Sequence, residues 1–177
     1  MAGSLIKIDE EIVTSAVASV TLGGADWDSS YDVYMVKYNN VTPSVDARSI
    51  SLRVTKSGTA DATSNYDYAY KVLNSASSFG NGAFTNDTEW QYLVIDNVGT
   101  GTSESANGIL YLFNFNNASE YSFITAEVTE VNSSTTARGN QGGGVHTVAS
   151  ASDGLYFFDT AGGNIASGTF TLYGLAK

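Results

Sequence analysis

The 177-residue chain has no cysteine, one proline, one histidine, and eight lysines and arginines against eighteen aspartates and glutamates. Without thiols, disulfides and thiolate metal sites are excluded. With one histidine, a zinc site would have to lean on carboxylates. The scarcity of cations gives a net charge of −10. A surface of that sign repels a phosphate backbone, and no basic stripe reverses it locally, so nucleic acid is not an expected partner. No run approaches the ~18 apolar residues of a membrane span, so no membrane partner is expected. The opening Met-Ala-Gly-Ser-Leu-Ile-Lys-Ile lacks the apolar core of a signal peptide, which implies synthesis in a cytoplasm without an encoded export route.

What the chain does have is aromatics and turn formers: eleven Tyr, eight Phe, two Trp and eighteen Gly, with a surplus of Ser, Thr and Asn. This is the composition of an all-β protein. The length fits one domain, residues 1–177. Leu5–Ile8 reads as an edge strand or an N-terminal arm within residues 1–11, before an acidic break at Asp9–Glu11. Ile12–Leu22 follows, then a Gly/Asp loop, then Tyr31–Tyr38, which is apolar on both faces as a central strand is. Asn39–Ala47 reads as a turn around the proline. Ser49–Thr55 gives clean alternation, with Ile50, Leu52 and Val54 inward.

Further strands are expected at Tyr66–Leu73, Glu89–Ile95, Ile109–Phe115 and Tyr121–Glu130, with Val145–Val148 a brief one. Lys56–Asn65, Asn74–Thr88, Asp96–Asn107 and Val131–Gly144 read as loops. Leu155–Phe158 and Gly168–Leu175 read as an antiparallel pair joined through Gly162-Gly-Asn164. In the second of these, Phe170 and Leu172 share one face against Thr169, Thr171 and Tyr173. A closing strand so regular is expected between two earlier ones. The expectation is an antiparallel β-sandwich of roughly ten strands, a jelly roll.

The motifs for catalysis are thin. His146 has no Gly-x-Ser-x-Gly elbow to serve, and reads as a loop or edge-strand residue. Asp26-Trp-Asp28 begins like a calcium loop, but Tyr31 and Lys37 stand where an EF-hand needs Gly and Glu. Glu127 and Glu130 have odd spacing, which puts them on opposite faces of a strand and argues against a glycosidase dyad. Gly142–Gly144 lacks the Lys-Ser or Lys-Thr of a phosphate loop. The expectation is a protein that is not an enzyme, with no cofactor and no bound metal.

The run Gly163–Leu175, with Ser-Gly-Thr-Phe-Thr-Leu-Tyr-Gly at its centre, follows the aromatic strand Leu155–Phe158. This ending resembles the closing strand of small virion structural proteins of tailed bacteriophages, and Gly108–Phe115 adds to the likeness. The resemblance implies a capsid decoration or cement subunit on the outer shell surface, with the major capsid protein as partner. The alternative it implies is a carbohydrate- or receptor-binding module of a tail or head fibre. Negative charge fits a place outside the shell, away from packaged DNA. The residues expected to make interfaces are the apolar Leu5, Ile6 and Ile8, the tyrosine stripe Tyr66, Tyr68 and Tyr70, and the loop aromatics Trp27, Phe79, Phe84 and Trp90. A symmetric homo-oligomer is expected, a trimer ahead of a dimer. Glycan contact, if made, would run through aromatic stacking.

Overall fold

A computed structural model describes residues 4–76 and 79–175. Thirteen strands form: β1 (Leu5–Val13), β2 (Ser19–Gly23), β3 (Val33–Pro43), β4 (Arg48–Lys56), β5 (Thr59–Ala60), β6 (Tyr66–Asn74), β7 (Gly80–Asp87), β8 (Trp90–Val98), β9 (Ala106–Phe113), β10 (Ser122–Val131), β11 (Ala137–His146), β12 (Gly154–Asp159) and β13 (Ile165–Leu175). One sheet has the order β1-β13-β3-β9-β10-β11-β6-β7; the other is β2-β12-β4, with β5 and β8 both paired to β4.

The connectivity is that of a jelly roll. β1 pairs with β13, β2 with β12, β3 with β9 and β4 with β8, all antiparallel. This is one long double ribbon rolled up, closed where β13 meets β3 and β12 meets β4. Two insertions, β6-β7 and β10-β11, extend the larger sheet by four strands beyond β9. As expected, the closing strand β13 lies between two others, with Phe170 and Leu172 wholly buried.

One continuous core fills the space between the sheets, with Trp90, Tyr34, Tyr38, Tyr66, Phe115, Phe157 and Phe170 fully buried. Tyrosines can sit there because their hydroxyls find acceptors: Tyr38 Oη donates to the Val94 carbonyl at 2.6 Å, and Tyr66 Oη to the Asp61 carbonyl at 2.6 Å.

Several sequence expectations are corrected. Leu155–Phe158 and Gly168–Leu175 are not a hairpin. β12 and β13 lie in different sheets and meet face to face, with the Phe157 and Phe170 rings 5.0 Å apart. The acidic break at Asp9–Glu11 is inside β1, which pairs with β13 through a bulge between Lys7 and Asp9. So Leu5–Ile8 is an edge strand and not a free arm, and charges on a sheet edge discourage pairing with other chains; residues 1–3 of the expected arm lie outside the described residues. β3 continues through Asn39–Pro43, passing a bulge at Asn40, whose φ is 50°. Three segments read as loops hold strands, β5, β7 and β11. β11 contains Gly142–Gly144 because neighbours approach too closely for side chains. A Cβ on Gly144 would lie 2.6 Å from the Trp90 indole nitrogen, and one on Gly142 would lie 2.3 Å from the Ala69 carbonyl.

Candidate interaction surface

The inner face of the large sheet is covered by the small sheet. Its outer face is not covered by any described residue. Solvated faces of antiparallel sheets are usually polar, and this one is polar over only part of its extent. In β9, Leu110 and Leu112 point inward and are fully buried, so Ile109, Tyr111 and Phe113 point outward. In β10 the alternation is strict, with Ile124, Ala126 and Val128 inward and Phe123, Thr125, Glu127 and Thr129 outward.

The registers line these outward residues up in rows across the sheet. One row runs Leu5, Leu175, Val33, Phe113, Phe123, Val145 and Asp67. The next is Lys7, Tyr173, Met35, Tyr111, Thr125, Gly143, Ala69 and Ala83. The third is Glu10, Thr171, Lys37, Ile109, Glu127, Gln141, Lys71 and Asn81. Within this face Leu5 is 50%, Phe123 44% and Tyr111 39% exposed. Of Ile109, Tyr111, Phe113 and Phe115, which alternation in the sequence groups on one aromatic face, the first three face away from the core, whereas Phe115, beyond the end of β9, is fully buried.

The expected interface residues are divided by the fold. Leu5 and Ile6 are exposed on β1, while Ile8 packs partly against the core. Tyr66, Tyr68 and Trp90 are buried between the sheets and present almost no surface. Trp90 packs edge-on against Tyr66 at 5.0 Å, and Tyr68 stacks on Phe84 at 4.9 Å with its hydroxyl donating to Asp87. Tyr70 lies over Gly82 and is half-buried beside Tyr92. Phe84 is at the margin of exposure, and Phe79 is the most exposed of the set at 75%. Trp27 stacks on Tyr34 at 4.2 Å and donates its indole N–H to Asn116 at 2.8 Å. Its role is to tie the loop before β3 to the loop after β9. Sequence reasoning did not single out Tyr111, Phe113, Phe123, Val33 and Val145 as interface candidates; period-two alternation in β9 and β10 was the available signal.

Two polar clusters are buried. His146 is in the interior strand β11 and wholly buried, not at a loop or sheet edge as expected. Its Nε2 lies 3.3 Å from Asp61 Oδ2, which Lys56 also approaches at 2.9 Å. Burial first, and then Lys56, push the imidazole pKa down against the pull of Asp61. Burial would raise Asp61, but hydrogen bonds from Thr63 and Lys56 outweigh it and hold the carboxyl below the usual range. The β10–β11 register sets Ser122 opposite His146, giving the residue types of a hydrolytic triad. Ser122 Oγ makes no hydrogen bond to the imidazole, and both side chains have no exposed surface. A nucleophile needs both contact with its base and access to substrate.

The second cluster is Glu130, Asp96, Arg138 and Ser49. Arg138 pairs with Asp96, Ser49 Oγ donates to Asp96 at 3.0 Å, and the Asp96 N–H donates to Glu130 at 3.2 Å. Burial, reinforced by the Asp96 charge, pushes the Glu130 carboxyl up to about 8 despite that N–H and Arg138. Glu127 is on the opposite, exposed face of β10, as its spacing from Glu130 implied. Among the described residues no three His, Asp or Glu side chains are grouped to hold a metal ion.

No family model, curated protein or solved structure matches the chain.

Proposed function

We propose that the protein is a non-enzymatic bacteriophage virion structural protein, a decoration or cement subunit on the outer surface of the capsid. The observation that carries this reading is the uncovered apolar face of the eight-stranded sheet. Burying such a face between subunits contributes roughly 25 cal/mol for each Å² of apolar area removed from water, which is how a subunit junction strengthens a shell. Exposed contiguous apolar surface of this kind marks interaction sites. The C-terminal likeness to virion proteins supplies the setting, and the major capsid protein is the proposed partner. The glycan-binding fibre alternative loses its two tryptophans, since Trp90 is buried and the Trp27 indole N–H is held by Asn116.

Purified particles test the reading. Cryo-electron microscopy should find the jelly roll at a regular position on the outer shell, in a copy number matched to the capsid lattice. A few copies at a tail or fibre tip would replace decoration with the fibre reading. Particles without the protein would overturn both.

A further inference from the structure

We infer that the outer face of the eight-stranded sheet is the interface of a two-fold homodimer, in which two copies stack face to face about an axis lying along β9. It rests on reading this face as an assembly surface, and not on where in a virion the protein is found.

The argument starts from charge. Of the described lysines and arginines, Lys7, Arg48, Arg53, Lys56 and Arg138 are each in an ion pair within the chain. Lys37 and Lys71 are in none. Both lie in the same outer row, on β3 and β6. In a chain of net charge −10, two unpaired cations in one row of a sheet face are conspicuous. Their row also holds Glu10 and Glu127, and the face as a whole is close to neutral.

A two-fold rotation about β9 exchanges the strands on either side: β3 with β10, β13 with β11, β1 with β6. Applied to the third row, it sets Lys37 against Glu127 of the second copy, and Lys71 against Glu10, whose carboxylate Lys7 of its own chain also approaches at 3.1 Å. Both unpaired cations then meet a carboxylate, and each contact occurs twice. The same rotation sets Val33 against Phe123, and the Tyr173 ring against the bare backbone of Gly143. Tyr111 and Phe113, on the axis strand, meet their own counterparts. An isologous interface must be self-complementary in this way.

Geometry permits it. Rotation about an in-plane axis preserves strand twist, so the facing sheets stack aligned. With strands ~4.8 Å apart and about 25 Å long, the seven that face one another across the axis offer roughly 800 Å² per copy, the size of a standard specific interface. A basic partner would demand an acidic face, and an acidic partner a basic one. A neutral face whose charges complement their own two-fold image fits a second copy of this chain.

The test is the mass of the full chain by sedimentation equilibrium over a wide concentration range, on the wild type and charge variants. Thermal melts confirm that each variant is folded. A dimer is expected. Lys37→Glu should raise its dissociation constant by about tenfold or more, as should Glu127→Lys, because each sets like charges opposite one another. The double variant Lys37→Glu/Glu127→Lys restores opposite charges and should return to within about threefold of wild type. Tyr111→Arg should leave a folded monomer. A wild-type monomer or trimer would overturn the inference, as would a dimer indifferent to the single reversals or a double reversal that fails to restore it. A monomer in solution that still decorates particles would sink the dimer and leave the proposed function standing. A dimer absent from every particle would do the reverse.

Discussion

At the residue scale, Glu130 couples stability to pH. Its carboxyl titrates near 8 when folded and in the ordinary carboxylate range when unfolded. Between those values the folded state holds a proton that the unfolded chain does not, so this group's contribution falls as pH rises from about 4.5 to 8. Above that window a buried carboxylate must ionise beside Asp96. Glu130→Gln keeps the shape and an acceptor for the Asp96 N–H. It is expected to gain ~1–3 kcal/mol over wild type on moving from pH 5 to pH 9, measured by urea unfolding. His146 acts in the opposite direction. Its folded pKa is depressed, so its contribution is lost as pH falls below about 6.5, where the unfolded imidazole takes a proton. The glycines of β11 make a second residue-scale prediction. A methyl at Gly144 would press on the Trp90 indole and the Asp67 carbonyl. Gly144→Ala should cost ~1–3 kcal/mol in a thermal or urea melt, although alanine is no worse a strand former than glycine.

At the element scale, β13 is paired on both sides and carries three wholly buried apolar side chains, Ile165, Phe170 and Leu172, into the core. Leu172→Ala should cost ~2–5 kcal/mol, a large share of a typical margin of ~5–15 kcal/mol. Deleting Gly168–Lys177 strips β1 and β3 of their common partner and should give insoluble protein. β1 is different, being an edge strand with only part of its length against the core. Truncation through Ile8 removes the pairs Leu5–Leu175, Ile6–Gly174 and Lys7–Tyr173 while leaving Asp9–Val13 in place. The shortened protein should remain folded with a melting temperature lower by a few degrees. An unchanged melting temperature would mean that this segment adds nothing to the sheet.

At the scale of the whole molecule, net charge and its distribution govern partners. Most described cations are already neutralised by a neighbouring carboxylate, and the two that are not stand apart on a neutral face. No stretch of surface among the described residues gathers enough positive charge to follow a phosphate backbone. The protein should show no salt-dependent binding to duplex DNA at physiological ionic strength, and a micromolar shift in a gel assay would contradict this.

The sequence by itself determined the all-β class, most of the strands and which side chains share a face of a strand, because side-chain alternation is a local property. Ile50, Leu52, Val54, Phe170 and Leu172 were legible as core on that ground alone, and all are fully buried. It did not determine β11, since Gly142–Gly144 looks like turn chemistry until Trp90 and Leu93 are laid against it from a distant strand. Nor did it determine that β12 and β13 part company into opposite sheets, because pairing partners are set by the rolling of the whole ribbon and not by the turn between neighbours. The tertiary structure alone decided which aromatics are surface. Tyr66 and Trp90 disappear between the two sheets, whereas Tyr111, Phe113 and Phe123 stay outside. Alternation separates the two faces of a strand, but only the placement of a second layer says which face water reaches.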